Sequence, residues 1–490
     1  MSRMLKTAPE NSLRILDMDV TTLIDLIHSG RMSSVEVVTT YMKHLEHVNS
    51  RVNMLVEDRF EEALEEAKEA DRLLESGNSN GTLTGVPISM KESFDVAGMK
   101  TTGGLTNRDG IVADKNAEVV SILQKEGAII LGKTNTPTLC FCQETANKRF
   151  GKTNNPWDLE KTAGGSSGGE AALMAVGGAA AGIGSDIGGS IRFPSHFNGV
   201  VGFKSGNAQV SDIGSFPDIV HPIQKRMLGI GPMAKSIRDV RFIYSLIAKR
   251  QESPAKKLSD IIIHKLPAGA YPLEKSSEQL IQKIADHLNK VFLVGIEDPP
   301  YFKESAIIWQ QIMSVDGGKS VADAAGFQGH GEVVKEYVKE AITNRSDYHR
   351  YFTWALIGAK MFKPSQKRVR DLHKIIEKGD KAIAEYFENK ILLLPVYHRT
   401  APPHGELYSE IFSIKKTFKK YMPYIAYANV WGFPSLTVPA GKDENGMPIG
   451  VQLISKIGNE EQLFAVGEII EEEFGGYVRC AAHDQESERS

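Results

Sequence analysis

Between residues 163 and 190 the chain reads AGGSSGGEAALMAVGGAAAGIGSDIGGS, which holds two glycine-flanked serine sites, Ser166 and Ser167 in GGSSGG and Ser190 in DIGGS. Residues this small fill little of a hydrophobic core. They let backbone approach a ligand closely and present bare N–H groups. Amide hydrolysis asks for such a place: a nucleophile, a base for its proton, an acid for the leaving nitrogen and N–H donors for the oxyanion. Ser190 follows Ile187, Gly188 and Gly189, and consecutive amides there could form an anion-binding nest.

The base has to be found elsewhere. The G-x-S-x-G elbow is absent, because Gly189 and Ser190 run on into Ile191 and Arg192. None of the 13 histidines sits in a suggestive motif, and His196, close after Ser190, reads as structural. Lysine remains, and it works as a base only when desolvation or nearby cations keep it neutral. Lys91 ends the apolar run PISMK, which could carry its amine into a partly buried pocket. On residue type alone, a surface lysine and an ordinary Gly/Ser loop stay open as alternatives.

Two further patterns carry no chemistry. Residues 127–134, GAIILGKT, formally match a phosphate loop, but Ala, Ile, Ile and Leu between the glycines favour a strand, and Pro137 opposes an immediate helix. Cys140, Cys142 and Cys480 are too few for a disulfide framework, and a bare Cys-x-Cys is poor ground for zinc. Reduced thiols in a cytoplasmic protein are the expectation.

The elements that must hold these residues follow from periodicity. Residues 19–49 read as two helices, the second opened by Ser33 and Ser34 with Glu36 as a capping box. Residues 59–75 form an amphipathic helix with a solvated charged face. GVPISMK is a strand ending at Lys91, residues 116–126 a helix, AIIL a buried strand and GKTNTP a turn. Residues 170–181 read as a small-residue helix and 199–204 as another strand. Strands alternating with helices predict an α/β fold with a sheet covered on both faces.

From 249 to 390 the texture changes to charged helices such as 277–289 and 332–342. The aromatic run 348–362, YHRYFTWALIGAKMF, reads by default as a core helix and alternatively as the wall of an apolar pocket. ILLLP, VWGFPSLTVPAG and MPIGVQLIS then restore the α/β pattern. One domain over 1–490 is expected, with a core at 60–248, a variable helical region at 249–390 and a return to the core at 391–480.

Bulk composition narrows the class. The 58 Lys and Arg against 61 Asp and Glu leave a net charge of −3, which excludes a strongly basic nucleic-acid binder. There is no uninterrupted apolar stretch of about 18 residues, and the N-terminus lacks a secretory h-region. A soluble cytoplasmic enzyme without an integral membrane segment is expected.

Several ordered blocks closely resemble the amidase signature family of serine hydrolases: GVPISMKESFDVAG, GKTNTP, NNPWDLEKTAGGSSGGEAAL, GIGSDIGGSIRFPSHFNGVVGFK, GPMAKSIRDV, PSLTVPAG and MPIGVQLI. SDIGGSIRFPS with HFNGVVGFKS is most similar to the fatty-acid amide hydrolase branch and its bacterial relatives. The resemblance implies a large mixed twisted sheet sandwiched between helices. It also implies a Ser-Ser-Lys triad with Lys91 as base, Ser166 as a bridging serine held through a cis peptide bond, and Ser190 as nucleophile. The amides of Ile187, Gly188, Gly189 and Ser190 would form the oxyanion hole. Ser167 would orient Lys91, and Asp186 and Arg192 would serve as scaffolding.

The implied activity is hydrolysis of a linear carboxylic amide, a small molecule, to acid plus ammonia or amine through an acyl-enzyme. No metal or organic cofactor is expected, and a homodimer is compatible. The alternative is the amidase component of a tRNA-dependent amidotransferase, which passes ammonia to a partner; Ile187 and Phe193 in SDIGGSIRFP favour the hydrolase branch. A silent binding protein with the same fold is disfavoured by the intact Lys91, Ser166 and Ser190. The chain departs from the family at GFKSGNAQVS, where many members carry Pro-Thr and Gly-Arg after the lysine, and a hydrophobic N-terminal anchor like that of membrane-bound relatives is not expected.

Overall fold

Lys91 lies inside the molecule because its strand lies inside the sheet. The computed structural model describes residues 15–79, 81–249, 257–413 and 418–484. Its main sheet has 11 strands. In chain order they are β1 Leu55–Asp58, β2 Pro87–Lys91, β3 Ile129–Thr134, β4 Ala181–Asp186, β5 Val201–Lys204 and β6 Gly229–Ala234. The remainder are β7 Ile262–Lys265, β8 Leu293–Ile296, β9 Lys390–Pro395, β10 Ser435–Lys442 and β11 Pro448–Ile454. Across the sheet the order is β1-β3-β2-β4-β6-β5-β10-β11-β9-β7-β8. Strands β3, β2 and β4 run parallel, as do β9, β7 and β8, while the strands between are antiparallel. The sheet is therefore mixed.

Every residue of β2 and β3 is buried, as expected of parallel strands covered on both faces. One continuous core of Ile, Leu, Val and Ala joins the sheet to its helices, with Phe203 and Phe464 packed at 4.8 Å between ring centroids. A second, aromatic cluster of Phe302, Phe387, Tyr427 and Trp431 binds the middle of the chain to helix Lys419–Val430. Ser33 caps its helix, its hydroxyl accepting from the Glu36 amide at 3.0 Å, which is the N-cap half of the expected box.

Three elements differ from expectation. The helix read over 170–181 spans only Gly168–Ala175; Gly177, at φ +76°, turns the chain, and Ala181 onward becomes β4. Alanine favours helix intrinsically, but here the small residues serve a strand wedged between β2 and β6. Strand β3 does not stop at Leu131 but continues through Lys133 and Thr134, because both pair with β1 on one side and β2 on the other, while the buried Lys133 amine donates to Thr101 Oγ1 at 2.8 Å. The middle of the chain also adds β7 and β8 to the sheet, parallel to β9, where only helices were expected. Among the described residues no helix is long and apolar enough to cross a membrane. Of the N-terminal stretch 1–20, read as carrying no secretory signal, residues 1–14 lie outside the described ones.

Candidate active site

Strands β2 and β4 are parallel neighbours, so their C-terminal ends deliver Lys91 and Ser185 to one edge of the sheet. Lys91 is fully buried. Its Nζ donates to Ser166 Oγ at 2.6 Å and to Ser185 Oγ at 3.0 Å. Ser166 precedes helix Gly168–Ala175, and the Gly165–Ser166 peptide is cis. The Ser167 amide donates to the Ser190 carbonyl at 3.0 Å, tying the two serine sites together.

Ser167 itself does not bond Lys91. Its hydroxyl donates to the Ser185 carbonyl at 3.5 Å, which the lysine also reaches at 3.5 Å. Ser185 is the residue that sequence reasoning missed. As a serine between Gly184 and Asp186 it carries no motif, and only the strand assignment of β4 would have pointed it at the lysine.

Burial pushes the Lys91 pKa below its ordinary value, while the Cys140 thiol and the Asp186 and Glu170 carboxylates act in the opposite direction. The net direction favours a neutral amine, the form a base requires.

Asp186 organises the turn that carries Ser190. Its carboxylate accepts from the amides of Gly189 at 2.8 Å and Ile191 at 3.1 Å, and from Arg192 Nε and Nη2, each at 3.0 Å. Both partners of this ion pair are fully buried. Burial alone would raise the Asp186 pKa; the Arg192 guanidinium overcomes it and holds the carboxyl well below the usual range. Gly189 sits at φ +94°, where a Cβ would lie 2.6 Å from the Phe193 ring, so glycine is required.

The four-amide oxyanion nest needs a correction at the same residue. The Gly189 amide faces Asp186, whereas those of Ile187, Gly188 and Ser190 have no acceptor among the described residues. Asp186→Ala would leave Arg192 buried without its counter-charge, and we expect it to destabilise the fold by about 3–5 kcal/mol, measured by chemical denaturation.

These groups close one end of a cavity of about 650 Å³, lined there by Ser166, Ser185, Ile187, Gly188 and Ser190. Its walls are aromatic, with Phe141, Phe216, Trp309, Trp354, Phe362 and Phe418. Trp309 Nε1 donates to the Ile187 carbonyl at 2.9 Å, and its ring lies so close to Gly188 that a Cβ there would be 2.6 Å from Cζ2. Helix Arg350–Met361 serves both readings of the 348–362 segment: Phe352 and Leu356 are buried, while Trp354, Gly358 and Met361 face the cavity. The charged side chains lining the cavity among the described residues are Asp212, Asp218 and Asp316.

Of the other candidates, His196, Cys142 and Cys480 make no hydrogen bond with Lys91 or Ser166 among the described residues. His196 is buried, with Nε2 3.0 Å from the Arg399 carbonyl and the Gly450 amide donating to Nδ1 at 2.8 Å. Cys140 lines the cavity, Cys142 is buried, and Cys480 Sγ donates to the Pro156 carbonyl at 3.2 Å.

A family model described as Amidase matches residues 36–464. The chain belongs to the amidase signature family. This amidase is 32% identical to fatty-acid amide hydrolase 2-B of Danio rerio over 502 residues, covering 96% of the chain and 92% of that relative. It is 27% identical to a glutamyl-tRNA(Gln) amidotransferase component of Caldanaerobacter subterraneus over 503 residues, covering 94% and 97% respectively. It superposes on a crystal structure of an amidase with a TM-score of 0.79 at 25% identity, over 94% of the chain and 100% of that structure. The large mixed sheet between helices is thus the amidase signature fold.

Proposed function

We propose that the protein is a stand-alone amide hydrolase in which Ser190 attacks the substrate carbonyl, Ser166 relays protons and Lys91 is the base. The observation that carries this reading is the 2.6 Å bond from Lys91 Nζ to Ser166 Oγ at the end of a cavity that Ser190 also lines. Neutral Lys91 takes the Ser166 proton as Ser166 takes that of Ser190, and Ser190 Oγ bonds to the carbonyl carbon. The negative oxygen is met by the amides of Ile187, Gly188 and Ser190, which have no acceptor among the described residues. Returned through Ser166, the proton goes to the amide nitrogen, the C–N bond breaks and amine leaves. Water then gives its proton to the same relay and attacks the acyl carbon, the bond from that carbon to Ser190 Oγ breaks, the relay returns the proton to Ser190, and acid leaves.

The aromatic walls and the volume favour an apolar acyl group; about 300–1,000 Å³ is the usual range for pockets that enclose a small organic ligand. The name of the Danio rerio relative, a fatty-acid amide hydrolase, supports the same choice. Glutamine, the substrate of the amidotransferase reading, is a zwitterion that asks for a cation as well as an anion, and the charged side chains lining the cavity among the described residues are all aspartates. Three free thiols fit a reducing, cytoplasmic setting.

The test is a series of amides of graded acyl length, with ammonia or amine release as readout and no partner, ATP or tRNA present. kcat/KM should rise about fourfold per added methylene until the cavity is full, from about 0.8 kcal/mol per buried CH2. Activity on glutamine alone, dependent on a copurifying partner protein, would support the amidotransferase reading instead. If a fluorophosphonate left Ser190 unlabelled in the folded protein, a binding role would replace both.

A further inference from the structure

Glu170 is a fully buried carboxylate in the first turn of helix Gly168–Ala175, the helix whose leading turn carries Ser166 and Ser167. It accepts from Thr134 Oγ1 at 2.7 Å and from Ser89 Oγ. The two donors bracket Lys91. Ser89 precedes it by two positions on β2, on the same face of the sheet, and Thr134 is its register partner on β3. On the other side of β2, Ser89 pairs with Gly182 of β4, where a Cβ would stand 1.7 Å from Glu170 Oε1. Only a glycine leaves room for the carboxylate there. One side chain thus spans β3, β2 and β4 and joins them to the loop bearing Ser166.

We propose that Glu170 is a positioning residue for Lys91: it fixes the spacing between the lysine strand and the Ser166 loop, and it is a buried counter-charge that decides over which pH range the lysine is a free amine. The proposal rests on Lys91 being the base. Among the described residues, the groups that act electrostatically on that lysine are Cys140 from the loop after β3, Asp186 at the end of β4 and Glu170 from the helix. Asp186 is neutralised by Arg192. Among the described residues the donors to Glu170 are hydroxyls, and burial pushes its pKa up to about 7, with Ser89, Thr134 and Lys91 acting against that rise. An ionised Glu170 therefore favours the ammonium and delays the appearance of the base as pH rises. The first turn of a helix favours the carboxylate form.

The test is the pH profile of kcat/KM for Glu170→Gln, which keeps size and removes charge. Without the anion the ammonium is less favoured, so the acid limb should move to lower pH by about one unit, as for a lost neighbouring charge. Ser89→Ala, which removes one donor and so protonates the carboxyl more readily, should move the limb the same way by less; it serves if Glu170→Gln does not fold. A folded variant of either kind with its acid limb in the wild-type place overturns the proposal, even if its rate is lower, since a purely structural role lowers rate without moving the limb. Lys91→Ala separates the two layers. If that variant keeps wild-type activity, the base assignment itself is wrong; if it is inactive while the Glu170→Gln limb stays put, only the present inference falls.

Discussion

Ser190→Ala is expected to abolish amide turnover while leaving the chain folded. Losing the nucleophile of such a relay lowers kcat on the order of 10⁶-fold, and what is left comes from oxyanion donors and binding alone. The fold should survive because the turn around Ser190 is held by groups the substitution does not touch. Asp186 holds the Gly189 and Ile191 amides and Arg192, and the Ser190 carbonyl keeps its bond from the Ser167 amide at 3.0 Å. Circular dichroism should therefore superimpose on wild type, while fluorophosphonate labelling disappears. Turnover within tenfold of wild type in the variant would remove Ser190 from the mechanism.

The second large effect is at Lys91. Lys91→Met retains length and apolar bulk but no base, and the rate should fall on the order of 10⁴-fold, the upper range for general acid–base catalysis. The rise of rate with pH that accompanies formation of the free amine should vanish as well. Stability should move in the other direction. In the folded protein burial lowers the Lys91 pKa from its unfolded value of ~10.4. The unfolded chain then holds more protons between the two values, so wild-type stability rises with pH across that window. Below it the penalty of a buried ammonium is fully present, and methionine does not carry it. Lys91→Met should melt at or above wild type near neutral pH, with the difference shrinking as pH approaches ~10.4. Thermal melts across that range check the sign, and a variant that melts well below wild type at neutral pH would show that the amine's bonds to Ser166 and Ser185 outweigh its desolvation.

The residues that meet at the cavity end were legible in sequence to different degrees. Lys91 and the serines could be found because glycine-rich blocks and a strand-ending lysine have local signatures. Ser185 could not, since its significance depends on β4 lying beside β2, and residues 181–186 look helical or featureless by propensity. Gly189 groups with the oxyanion donors in sequence because consecutive amides look alike; which of them points at Asp186 is decided by backbone dihedrals that no residue type reveals. The same limit applies to β7 and β8. Strands of four residues at a sheet edge carry too little periodicity to stand out from the helices around them.

Segment 348–362 shows why two readings of one stretch can both hold. A helix has a face for the core and a face for a ligand, and Phe352 and Trp354 occupy one each.

The cavity's aromatic lining from Trp309, Trp354 and Phe362 comes from chain far removed from Lys91, Ser166 and Ser190. If the proposed roles hold, much of the choice of guest is encoded in a stretch of polypeptide other than the one that breaks the bond, with Phe141 and Phe216 contributed by the latter. In the proposed hydrolase, exchanging Trp354 and Phe362 should retune which acyl groups are admitted, whereas Trp309, bonded to the Ile187 carbonyl, belongs to both halves and has to stay.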